Sequence, residues 1–430
     1  MNIRIYNARI LTMEKNAFIF EGELHVNKNK ISYVGPTLEP DDSRIQCVHW
    51  EREIDAEKNV IMPGFKNAHT HSAMTFLRSY ADDLPLQEWL HQQVFPMEAK
   101  LTSEDVYDLS KLAILEYLTS GITSNLDMYL DPDAIAKASE ECGYRTVICS
   151  GFNDFTNSIA ELEHWYQKYQ DLEGLVNFRL GFHAEYTTSK DNLEKLAMLA
   201  KKYQASVDMH SSESKSEVEQ CIERYGVTPT VLFEQLGILE YGGTHFHCIH
   251  MTDEDLDILK KRNIYVVTNP ASNMKLASGI PRIQEMLERG IPVAIGTDGP
   301  ASNNCLDMFR EMFLVTELAK IRENDAAAVD ANAVLRMATV EGAHAMGLMQ
   351  ADVLAEGKFA DLIMIDLNQP NMQPLNNITK NIVYSGCKQN IKMTMVNGKV
   401  LYEAGKFYVG TSAEEIYTKA NEIVTRIKKS

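Results

Sequence analysis

The chain has 430 residues, 45% of them hydrophobic and 24% charged, and a formal net charge of −18 from 42 Lys and Arg against 60 Asp and Glu. That length suits one large domain plus a smaller one, and the composition is that of an ordinary globular protein. Without a basic stripe the chain has no means of displacing counterions from nucleic acid or an anionic membrane, so neither is an expected partner.

Residues 1–58 read as short strands and turns, among them Ile3-Arg4-Ile5-Tyr6, Glu23-Leu24-His25-Val26 and Lys30-Ile31-Ser32-Tyr33-Val34-Gly35. The start alternates like a strand and lacks the basic head and apolar core of a signal peptide. Eight strand candidates follow: Val60–Ala68, Ile122–Asp127, Arg145–Ser150, Phe178–His183, Ser206–His210, Thr244–His250, Ile264–Thr268 and Val293–Thr297. Helical stretches such as Ser103–Thr119, Asp133–Cys142, Lys190–Lys202 and Ile280–Arg289 lie between them. Apolar strands alternating with helices imply a parallel sheet covered by helices.

Strand texture returns at Ala360–Asp366 and Lys392–Tyr402, where Asn397-Gly398 is a two-residue hairpin signal. Ser412–Lys429 reads as a charged amphipathic helix. No apolar run approaches ~20 residues, so no transmembrane helix is expected. Seven scattered cysteines without a CxxC pair are no disulfide framework and point to a reducing cytoplasm.

This pattern predicts an α/β fold: a (β/α)8 barrel of the TIM type over 59–352, with a small β-sandwich domain built from both chain ends, 1–58 and 353–410. A C-terminal helix over 411–430 would pack outside. A doubly wound open sheet is the alternative; it would want a glycine-rich phosphate loop after its first strand, and none is present.

In a barrel the C-terminal strand ends converge on the active site. Here they carry His69-Thr70-His71, His183-Ala184-Glu185, His210-Ser211-Ser212-Glu213, His247 and Thr297-Asp298-Gly299. In an extended strand, side chains two apart share one side, so His69 and His71 can grip one ion. With His210 and Asp298 they offer three nitrogens and one oxygen, a set that suits zinc and also accommodates iron or manganese. Glu213 is placed to move protons between a metal-activated water and a substrate, and His247 to hydrogen-bond that water and a developing oxyanion.

Other readings stand beside these. Asp298 alone would serve to cap a helix or brace a turn, a role that fits Asp307 better. His245 and His250 face away from the pole or sit at the wrong depth. His344 reads as a helix residue, and His25, His49, His91 and His164 have no motif support.

The combination of Pro63-Gly64-Phe65, His69-Thr70-His71, His210-x-x-Glu213, His247 and Gly296-Thr297-Asp298-Gly299 resembles the amidohydrolase superfamily over nearly the whole chain. Ser72–Arg78, Leu86–Leu90, Pro96-Met97-Glu98, Asn269–Leu276 and Gly299–Asn304 resemble the 5′-methylthioadenosine/S-adenosylhomocysteine deaminases, a subgroup related to the triazine chlorohydrolases. The resemblance implies one divalent metal, Zn2+ or else Fe2+ or Mn2+, on His69, His71, His210 and Asp298. Relatives with two metals bridge them through a modified lysine on strand four, and Phe178–His183 has none.

It further implies that Glu213 protonates the purine ring, that His247 and Asp298 activate water, and that ammonia leaves from C6. Glu98 would bind ribose hydroxyls, Trp89 would pack on the base, and His183 would touch the substrate. Core packing is the alternative for Trp89 and a solvated helix start for Glu98. The arginines that grip an amino-acid carboxylate after strand three are missing from Ser150–Asn157, which weighs against S-adenosylhomocysteine. Hydrolysis of another heterocycle, of triazine, guanine or pterin type, is the competing activity, and a non-catalytic metal-binding scaffold the competing class. The expected partner is a small molecule; homo-oligomers are common among such enzymes, and no interface is legible in the residues. The Asp82–Gln93 segment and the loop after strand three are expected to wall the pocket.

Overall fold

Eight parallel strands run side by side in chain order in a computed structural model of the chain, which describes residues 1–80, 82–84, 86–171 and 173–429. They are Phe65–Thr70, Ile122–Met128, Arg145–Cys149, Val176–Phe182, Val207–Ser211, Gly243–His247, Tyr265–Thr268 and Val293–Ile295, here called barrel strands one to eight. Strands two, three and five are buried at every position, as strands covered on both faces must be. Ala68, Leu126, Val147, Phe246, Val267 and Ala294, from six different strands, pack into one interior cluster.

The barrel closes between strands eight and one through a mixed seam. The Asp298 amide donates to the His69 carbonyl at 3.0 Å. The Thr297 amide donates to Asn67 Oδ1 at 2.8 Å, and Asn67 Nδ2 returns a bond to Thr297 Oγ1 at 2.7 Å. That closure replaces the open-sheet alternative.

The strand expected over Val60–Ala68 is two strands in two sheets. Val60–Pro63 pairs with Asn2–Ile10 and Leu362–Ile365, and only Phe65–Thr70 joins the barrel. Gly64 is the break: a Cβ there would fall 2.1 Å from the Thr123 side chain, so only glycine lets the chain cross at that point. The chain ends form one nine-stranded mixed sheet, with Val60–Pro63 bridging its N-terminal and C-terminal halves. Asn397 and Gly398, at φ +51° and +73°, make the expected hairpin turn.

The helix Ser103–Thr119 opens on a capping box between Thr102 and Asp105. Against it packs Ala413–Lys429, which buries Ile416, Ala420, Ile423 and Ile427. No helix of the described residues is long and apolar enough to cross a membrane, and all seven cysteines are free.

Candidate active site

The strand ends bring His69, His71 and His210 together so that one ring nitrogen from each lies within 4.8 Å of the others. Strand alternation alone does not achieve this. The pairing of strands one and two is irregular between Asn67 and Thr70, and this bulge re-aims the chain where His69 stands. His247 shares the parity of His245, whose ring packs on Phe233 of the helix Pro229–Gln235. Positive φ values at His247 (+71°) and Cys248 (+48°) break that parity and turn His247 into the pole. Left-handed backbone at two non-glycine residues is costly and is typical of functional sites.

The ring valences fit a metal. His71 Nδ1 donates to the Met128 carbonyl at 2.5 Å and His210 Nδ1 to the His183 carbonyl at 2.7 Å, so in the neutral ring each Nε2 is left as a lone-pair donor. His69 is fully buried, stacked on Phe246 at 3.8 Å, and neither ring nitrogen has a hydrogen-bond partner. Burial, then neighbouring imidazoles, hold His69 and His210 well below the ordinary histidine range, so both are neutral, the form a metal ion requires. Burial also opposes charge on His71, but the Asp298 carboxylate outweighs it and pushes that imidazole up to about 9, so Nε2 carries a proton shared with Asp298 that a metal ion would have to displace.

Asp298 completes the donor set. Its Oδ1 lies 3.2 Å from His71 Nε2 and 3.6 Å from His69 Nε2. Its Oδ2 accepts the hydroxyls of Ser272 at 2.6 Å and Ser302 at 2.9 Å, which fixes the rotation of the carboxylate. Despite its burial, the bond from His71 and the surrounding imidazoles hold it well below the usual carboxylate range.

Glu213 faces His247, with Oε2 3.7 Å from Nε2. Burial pushes its carboxyl up, and Ser278 Oγ donates to Oε1 at 3.4 Å. His247 Nδ1 donates to Asn273 Oδ1 at 2.7 Å, leaving Nε2 as the acceptor facing the site. Beneath this pair sits Glu217, unmarked in the sequence reading. Its carboxylate accepts the amides of Ser212 at 2.9 Å and Glu213 at 2.8 Å, clamping the turn between His210 and the acid. The Ser214-x-x-Glu217 spacing, a helix-start pattern, was the available signal.

On the substrate side, Trp89 and Glu98 lie on one helical run that includes the π-turn Leu90–Val94. Trp89 is buried in the core cluster. Glu98 is buried rather than solvated; burial pushes it up to about 7, and its Oε1 has no hydrogen-bond partner. The neighbouring Tyr129 hydroxyl, also missed, faces Glu98, and each acts on the ionisation of the other. His183 stands 5.0 Å from His210, ring centre to ring centre, with burial pushing it down to about 4. Glu185 instead forms an ion pair with Arg224. Of the Asp82–Gln93 segment, Pro85 lies outside the described residues, while Asp82 pairs with Lys275 at 2.5 Å. In the loop after strand three, Asp154 accepts from Ser189 and Asn192 and pins the loop to the start of the helix Lys190–Tyr203, which follows strand four.

The discounted residues stay outside the cluster. His344 pairs with Asp352 at 3.0 Å, His250 Nε2 donates to the Ser278 carbonyl at 2.8 Å, and Asp307 caps Met308–Glu323.

The amidohydrolase family model matches residues 60–401. A protein of Caldanaerobacter subterraneus subsp. tengcongensis named 5-methylthioadenosine/S-adenosylhomocysteine deaminase is 39% identical over 412 residues, 94% of this chain and 93% of its own. One of Methanopyrus kandleri named 5′-deoxyadenosine deaminase is 38% identical over 392 residues, 90% and 91% of the two chains. The crystal structure of a Xanthomonas campestris adenosine deaminase with bound zinc superposes with a TM-score of 0.93 at 30% identity, covering 100% of this chain and 99% of that one. With its histidine and aspartate donors gathered at the C-terminal pole of a parallel barrel, this chain belongs to the amidohydrolase family.

Proposed function

We propose that the chain is a metal-dependent hydrolytic deaminase acting at C6 of adenine nucleosides, and that it uses 5′-methylthioadenosine, adenosine or 5′-deoxyadenosine in preference to S-adenosylhomocysteine. The observation that carries this reading is a metal-ready cluster beside a buried acid, Glu213, in a chain up to 39% identical to proteins named for such deaminations. His69, His71, His210 and Asp298 would hold one divalent ion, with zinc the best match to the donors. When bound, such an ion supplies the Lewis acidity that makes water nucleophilic near neutral pH.

The remaining work falls to the side chains. Glu213, whose carboxyl burial pushes up, gives its proton to the purine ring nitrogen next to C6, which makes that carbon electrophilic. His247, with its Nδ1 hydrogen committed to Asn273, presents Nε2 to accept a hydrogen from the attacking water. Asp298, its Oδ2 held by two hydroxyls, shares in taking up that proton. C6 becomes tetrahedral, the amino nitrogen is protonated, ammonia leaves and a hypoxanthine base remains. An amine is a poor leaving group, so the presence of Glu213 favours deamination over chloride displacement.

Glu98 and Trp89 would hold the ribose and base, and His183 would touch the substrate from strand four. No arginine lies in Ser150–Asn157, and Arg224 is engaged by Glu185, which supports an uncharged 5′ substituent. The free cysteines support a reducing, cytoplasmic setting.

The test is ammonia release by the zinc-loaded protein from methylthioadenosine, adenosine, 5′-deoxyadenosine, adenosylhomocysteine, guanine and aminotriazines. Turnover of the uncharged adenine nucleosides above adenosylhomocysteine is expected. Turnover of guanine or a triazine alone would overturn the substrate assignment.

A further inference from the structure

Glu311 is a fully buried carboxyl on the helix Met308–Glu323, and two loops from different barrel strands donate to it. Its Oε2 accepts the Ala271 amide at 3.0 Å, and its Oε1 accepts Asn303 Nδ2 at 2.8 Å. Ala271 belongs to the loop after strand seven. The next two residues act at the site: Ser272 donates to Asp298 Oδ2 at 2.6 Å, and Asn273 accepts from His247 at 2.7 Å. Asn303 belongs to the loop after strand eight. It also donates to the carbonyl of Thr297, the residue before Asp298, at 2.6 Å. Its neighbour Ser302 makes the second bond to Asp298 Oδ2, at 2.9 Å.

One carboxyl group thus fastens both loops that orient Asp298 and the one that orients His247. Asp298 itself stands at φ +59°, a conformation that persists only where its surroundings impose it. Burial pushes Glu311 up to about 8, against which the two donors pull. An apolar side chain would fill the same space without that cost.

We infer that Glu311 is a positioning residue for the reaction: by tying the strand-seven and strand-eight loops together it aims Asp298 Oδ1 and His247 Nε2 at one point, without touching substrate. The inference rests on the reading of Asp298 as a metal ligand and His247 as a hydrogen acceptor. Two acceptor oxygens are needed. Glutamine keeps the shape but turns one end into a donor, which then faces the donor of Ala271 or Asn303.

The experiment compares wild type, Glu311→Gln and a control, Val383→Ala, all full-length and zinc-loaded. Val383 is a core residue on the helix Ile378–Tyr384, which packs on Met308–Glu323, so its truncation loosens that helix while keeping both bonds to Glu311. Zinc release to a chelating dye and kcat and KM for methylthioadenosine are measured on each. Glu311→Gln is expected to release zinc about 10-fold faster and to lose about 10- to 100-fold in kcat, with KM within about twofold. Val383→Ala is expected to match wild type in both.

Wild-type zinc release and kcat in Glu311→Gln, or changes no larger than those of Val383→Ala, would overturn the inference. If Glu311→Gln does not fold, Asn303→Ser decides: it removes one arm and should show the same pair of changes, and wild-type values there would overturn the inference. Wild type without zinc affinity would count against the metal site itself, and zinc affinity without turnover against the substrate, so these failures are separable from that of Glu311.

Discussion

Both poles of this barrel bury charged and ionisable side chains, and they treat them in opposite ways. At the N-terminal strand ends the named groups are matched. Arg145 pairs with Asp361 at 2.6 Å and donates to the Gly174 carbonyl at 2.9 Å, Arg179 pairs with Asp208 at 2.7 Å, and Lys66 donates to Thr123 Oγ1 at 2.7 Å. At the C-terminal ends, both nitrogens of His69, Oδ2 of Asp127 and Oε1 of Glu98 have no hydrogen-bond partner. A buried polar atom left unpaired costs about 1–3 kcal/mol. Ser124 Oγ and the Asn177 amide towards the other pole lack a partner as well, so what sets the C-terminal pole apart is that its imidazoles and carboxylate face one shared point.

Breaking the open pole should destroy chemistry and spare the fold. Glu213→Gln is expected to lose about 10²- to 10⁴-fold in kcat with zinc content and thermal midpoint unchanged. A variant that keeps more than a tenth of wild-type kcat would remove Glu213 from the proton path. Breaking the matched pole should do the reverse. Arg145→Met leaves Asp361 buried and uncompensated, so about 3–5 kcal/mol of unfolding free energy should disappear in urea titrations, with kcat of the surviving folded protein retained.

Lys66 sharpens the contrast through pH. Burial pushes its ammonium from 10.5 down to about 8. The folded state therefore carries an unfavourable charge below that pH, and the cost is relieved as pH rises from about 8 towards 10.5, where only the unfolded chain is still protonated. The stability of wild type relative to Lys66→Met should rise over that window by up to ~3 kcal/mol; a flat difference would mean that burial does not lower the Lys66 ammonium and that it is as charged in the fold as in the unfolded chain. The smallest effect is expected at His69. Because its ring makes no hydrogen bond with the protein, metal-free His69→Leu should melt no lower than metal-free wild type while losing zinc binding. A large loss of apo stability would show that the ring serves the fold.

How far the sequence led depended on the range over which each feature is specified. Strand order was legible because apolar strands and helices alternate along the chain, and the His69, His71, His210 and Asp298 cluster because each of these residues closes or follows such a strand. The boundary at Gly64 was not, because Val60–Ala68 is one apolar run and periodicity is silent about which sheet a strand joins. His247 faces Glu213 although plain alternation would turn it outward; two left-handed residues make the difference. Glu185 was left open, and it answers to Arg224, 39 residues away. Ser272 and Asn273 act by hydrogen bonds between segments far apart in sequence, which leave no period to read.

The most direct measurement is a zinc titration of metal-stripped protein with methylthioadenosine present, following the conversion of adenine to hypoxanthine by absorbance. Activity should rise linearly and level off at one zinc per chain. Full turnover without metal, or activity that needs a second ion, would contradict the account.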